Sequence, residues 1–78
     1  MKIAFEELKA IGAPVFERSD YPERFLLSAE ENDTELWADY YQPDFGLFGV
    51  NLIATNIMDK QGLFFEWETP GALIAYEV

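Results

Sequence analysis

The stretch "LFFEWETPGALIAYEV", residues 63–78, decides how this chain is read. Leu63, Phe65 and Trp67 alternate with Phe64, Glu66 and Glu68. A period of two sorts an apolar face from a mixed one and marks a strand, with the first set turned to the core. Thr69, Pro70 and Gly71 then interrupt the pattern, and a Pro-Gly pair fits a type II turn. That turn matches strand twist less well than the primed types, so the hairpin is expected to need a bulge or a longer loop. "ALIAYEV", residues 72–78, is the returning strand, and its alternation leaves either face able to turn inward.

Upstream of the hairpin, Val50, Ile53, Ala54, Ile57 and Met58 fall on one stripe of a helix, with Asn56, Asp59 and Lys60 on its polar side. Asn51 is available as its N-cap, and Gly62 stands just past its end. A first helix is given by Met1, Ala4, Phe5, Leu8 and Ile11; Gly12 ends it and Pro14 prevents its resumption. Helices of about three turns do not persist alone in water, so each must lay its stripe on a sheet. "RFLLSAE", 24–30, and "ELWADYY", 35–41, are rich in β-formers, and with "ENDT" between them they read as an antiparallel hairpin across residues 24–41. "PVFERS", 14–19, is a weaker fifth strand, joined to the next by "SDYPER".

The expected fold is α+β, a single two-layer domain over residues 1–78. It has an antiparallel sheet of four to five strands and two short amphipathic helices on one face, in the order α-β-β-β-α-β-β. A faint internal repeat accompanies it. "LKAIGAPVFE" and "IMDKQGLFFE" both run from a helix end through a Gly into a strand, and "LLSAE" resembles "LIAYE".

The chain has 78 residues, room for one domain, and contains neither Cys nor His. Disulfides and thiolate or imidazole metal sites are therefore excluded, and stability must come from packing or from a second subunit. Net charge is −10, unevenly spread: residues 1–24 hold four basic and five acidic side chains, whereas residues 25–78 hold Lys60 against ten acids. Such a field repels phosphate backbones and anionic membranes, so no direct nucleic-acid or membrane binding is expected and basic partners are favoured. With no signal-like or membrane-length apolar run, the expected location is cytoplasmic.

Two short helices cannot cover both sides of a five-stranded sheet. Along "ELWADYY", Leu36, Ala38 and Tyr40 take one face and Glu35, Trp37, Asp39 and Tyr41 the other. The outer face is thus expected to gather Trp37, Tyr41 and Phe64 among Glu35, Asp39, Glu66 and Glu68. Beside it runs "QPDFGLFG", 42–49, a segment with loop breakers that nonetheless carries Phe45, Leu47 and Phe48. Its phenylalanines either fold back onto the chain's own core or meet another chain. Trp37, Tyr41, Phe45, Phe48 and Phe64 are accordingly the candidate partner-binding residues, with Glu35, Asp39, Asp44, Glu66 and Glu68 as an acidic rim.

The function expected is a small acidic non-enzymatic protein-binding module that contacts a protein partner, possibly a basic one, and forms a homodimer through this surface. No catalytic residue, metal or cofactor is expected. "EENDTE", 30–35, is dense in oxygen ligands but lacks the order of an EF-hand loop, and "FGLFG" has no following Lys to make a phosphate cradle. Two alternatives stand beside this reading: a small-ligand or carboxylate-based enzymatic site in a cleft under the 42–49 loop, and an acidic mimic of nucleic acid that occupies a basic site.

Overall fold

The two apolar stripes become the two helices. The computed structural model describes residues 1–18, 24–31 and 35–78. α1 (Lys2–Ala10) buries Ala4 and Leu8, with Met1 and Phe5 packed beside them. α2 (Leu52–Lys60) buries Ala54, Ile57 and Met58. Asn51 caps α2: its side-chain oxygen accepts from the Ile53 N–H at 2.8 Å, and its amide nitrogen donates to the Leu36 carbonyl at 3.0 Å. Each helix ends through a left-handed glycine, Gly12 (φ 87°) and Gly62 (φ 69°), whose N–H donates to the Lys9 and Asp59 carbonyls respectively at 3.1 Å. Two residues of the expected stripes, Ile11 and Ile53, are exposed. Ile11 lies beyond the last helical residue, and the buried stripe of α2 is narrower than the periodicity suggests.

The described residues form four strands: β1 (Val15–Glu17), β2 (Phe25–Ser28), β3 (Leu63–Thr69) and β4 (Ala72–Glu77). They form one antiparallel sheet in the order β1-β2-β4-β3, with Leu27 paired to Leu73 at its centre. The 63–78 hairpin has the irregularity its turn demands: Trp67 pairs with Leu73 but Thr69 with Ala72, leaving Glu68 as the extra residue. The choice of face along β4 is settled by packing. Leu73 and Ala75 join the buried cluster with Leu27, Val15, Phe25 and Leu63, and both helices lie on this side.

Among the described residues no helix lies on the opposite face. Ile74 is nonetheless buried there, between its register neighbours Leu26 and Glu66. Phe64 stacks on Tyr76 at 5.7 Å, Arg24 lies 4.6 Å above the Tyr76 ring, and Arg18 pairs with Glu68 at 2.7 Å. Since Arg18 follows β1 and Glu68 belongs to β3, that ion pair links the two outermost strands over the face the helices leave open.

The expected hairpin across residues 24–41 does not form. β2 pairs with β1 and β4, and "ELWADYY" contributes only an isolated bridge between Ala38 and Val50. The cause is local. The Asp39 carboxylate accepts the Tyr41 N–H at 3.0 Å and the Gln42 side-chain amide at 2.7 Å, which turns the chain where a strand would continue. Residues 32–34 of the "ENDT" turn and 19–23 of the "SDYPER" connector lie outside the described residues.

With the third strand gone, α1-β1-β2 and α2-β3-β4 repeat the same order of elements, and the sheet order sets the two hairpins side by side with β2 and β4 innermost. Among the described residues no helix is long and apolar enough to cross a membrane.

Candidate functional site

Residues 42–50, the link into α2, are held by their own backbone. The Phe45 N–H donates to the Gln42 carbonyl and the Gly49 N–H to the Phe45 carbonyl, both at 2.9 Å. Leu47 and Val50 exchange two more bonds, at 2.9 and 3.0 Å. The segment is tied down at its end, where the Asp39 N–H reaches the Gly49 carbonyl and the Asn51 N–H reaches the Trp37 carbonyl, each at 2.8 Å. Gly49 sits close under the Asp39 carbonyl and the Trp67 ring, where a Cβ would collide.

This framework holds Phe48 out. Its backbone is left-handed (φ 52°), the one such non-glycine among the described residues, and its side chain is 74% exposed. A bulky L-residue in that region costs roughly 1–2 kcal/mol relative to an ordinary conformation. The conformation is fixed from the sheet: the Trp67 indole N–H donates to the Phe48 carbonyl at 2.9 Å. Tyr40 stands edge-on to Trp67 at 5.2 Å and to Tyr41 at 5.4 Å, which extends the aromatic surface toward Tyr41, 78% exposed.

Between this segment, α2 and β3 lies a cleft of about 440 Å³. The segment supplies Leu47, Phe48 and Val50, and α2 supplies Thr55, Met58 and Asp59. Every residue of β3 from Leu63 to Trp67 lines it as well. The face of a strand presents alternate residues only, so five consecutive ones show that the cleft opens onto the strand's edge. The walls are mainly apolar, and Asp59 and Glu66 are the carboxylates on them. Neither makes an ion pair among the described residues. A second cleft of about 540 Å³ near the start of α1 is of another kind: Lys2 and Arg24 face Glu6, Glu17 and Glu77, so its charges largely compensate.

The expected site residues separate. Phe48, Phe64 and Glu66 come together on the cleft, and Tyr41 joins through Tyr40 and Trp67. Trp37 is corrected: it is 4% exposed and belongs to the core, because the segment carrying it is not a strand and alternation does not set its direction. Phe45 is half-buried at the base of the segment rather than displayed. The rim also contracts. Asp39 is spent on turning its own chain, Glu68 on Arg18, and Glu35 and Asp44 are exposed without lining the cleft. Among the described residues no group of three or more Asp or Glu is placed to hold a metal ion.

Leu47, Tyr40, Met58, Asp59 and Trp67 are participants that sequence reasoning had not assigned. The signal for Asp59 was its place on the polar side of α2; for Trp67 it was an indole N–H that needs an acceptor when partly buried. Comparison of the chain with protein-family models, with curated proteins and with solved structures found no match.

Proposed function

We propose that the protein is a small acidic non-enzymatic protein-binding module, acting in the cytoplasm, whose docking surface is the aromatic cleft between residues 42–50, α2 and β3. Phe48 carries the proposal. It is an aromatic side chain held in solvent on a left-handed backbone where glycine would rest without strain, so neither packing nor conformation accounts for it. Around it, Leu47, Phe64, Tyr40 and Tyr41 add exposed apolar surface, the kind of contiguous patch found at protein contacts.

A basic protein fits this surface better than a second copy. Each copy carries −10, and the carboxylates on the cleft wall have no cation opposite them. The homodimer expected from the sequence is therefore the less favoured form of the proposal. A small apolar ligand is a second reading, supported by the cleft volume, which lies in the range of about 300–1,000 Å³ common to ligand sites.

A photo-reactive phenylalanine analogue in place of Phe48 tests the proposal in cells. Covalent protein adducts are expected from that position and not from a control at exposed Ile11, and adduct mass separates a second copy from a different protein. Equal labelling from both positions, or none from position 48, would contradict it.

A further inference from the structure

We infer that the cleft accepts an extended segment of a partner chain, alternately apolar and basic, which joins the sheet as a fifth strand on β3; this rests on the cleft being a protein-docking site. β3 is the last strand of the sheet and the longest, and among the described residues no backbone hydrogen bond joins its outer edge to another element. Its unpaired N–H and C=O groups are a template for one more strand. The other edge offers no such template, since β1 has only three residues. The usable rungs run from Leu63 to Trp67 and stop at the bulge, a length of roughly 17 Å at the usual strand rise.

The chemistry of the incoming segment follows from the two faces of β3. Toward the helices, Leu63, Phe65 and Trp67 stand with Leu47, Phe48 and Met58, so side chains of the new strand on that side enter apolar surroundings. On the other side they lie beside Phe64 and Glu66, which suits Lys or Arg through a cross-strand ion pair and contact with an aromatic face. Asp59 adds a second uncompensated carboxylate to the cleft. Alternating apolar and basic residues meet both demands at once. A second copy does not meet them: pairing β3 with β3 would bring Glu66 of two highly acidic chains onto one ladder. Glu66 and the bulge guard this edge against self-pairing.

Selection of displayed random peptides against the full chain tests the inference, with Phe48→Asp as the counter-selected control. The expected winners alternate apolar residues with Lys or Arg. In synthetic copies, N-methylation of the amides that face β3 should weaken binding by at least about tenfold. Methylating the amides that face away should cost less than about threefold, and Glu66→Lys should weaken the unmethylated peptide by about three- to tenfold. Amide NMR shifts should track Leu63 to Trp67. Winners with helical spacing, or winners insensitive to both methylation patterns yet lost with Phe48→Asp, would overturn strand addition while leaving the docking surface in place. Enrichment no greater than for the Phe48→Asp control would overturn both, and a wild-type dimer by light scattering that Glu66→Lys strengthens would assign the edge to a second copy instead.

Discussion

The two αββ halves of the molecule are alike in plan and unlike in detail. Each begins with a nine-residue helix, passes a left-handed glycine and continues into an antiparallel hairpin. The first half has strands of three and four residues, and its side chains include four of the five basic groups of the chain. The second has strands of seven and six residues closed by Pro70 and Gly71, and Lys60 is its one basic residue. Between the halves run residues 35–51, from which Trp37, Ala38 and Val50 enter the shared core, and Trp67 of the second half holds the Phe48 carbonyl. The shared plan makes the scaffold. The differences, a long free edge, an uncompensated acidic wall and a hydrogen-bonded aromatic segment, all fall on one side and make the cleft.

Removing what the segment between the halves adds to the core should have the largest effect. Trp37→Ala deletes a buried aromatic and is expected to cost about 3–5 kcal/mol in chemical denaturation; a loss below about 1 kcal/mol would mean that residues 35–51 are an appendage and not part of that core. A smaller effect tests what the halves share. Gly12→Ala and Gly62→Ala place a Cβ in open space at similar left-handed angles, so strain alone should act, about 1 kcal/mol at each site. Costs differing by more than about 0.5 kcal/mol would break the equivalence of the two helix ends. The smallest effect concerns the link between the hairpins: Glu68→Gln should cost about 0.2–1 kcal/mol, since the Glu68 side chain is half-exposed, and the difference should shrink in high salt.

Much of the fold was legible because local signals agreed with tertiary need. Asn51, Gly12 and Gly62 fixed the helix limits, and Leu63, Phe65 and Trp67 announced their buried side by alternation. "ELWADYY" misled for a physical reason. Its aromatic composition suits a strand, but Asp39 bonds its own chain and both neighbours of β2 are taken by β1 and β4. Trp37 changed sides as a consequence. Phe48 and Phe64 were legible as surplus apolar surface, whereas the cleft they share was not. It depends on which strand ends the sheet, and strand order is a global outcome that no single segment encodes.

The most direct measurement is the unfolding free energy of Phe48→Gly. If Phe48 is kept for docking, glycine relieves the left-handed strain and gives up little burial, so stability should stay within about 1 kcal/mol of wild type or rise. A loss of about 2 kcal/mol or more would show that Phe48 serves the packing of its own chain, and would contradict the assignment of the cleft as a docking surface.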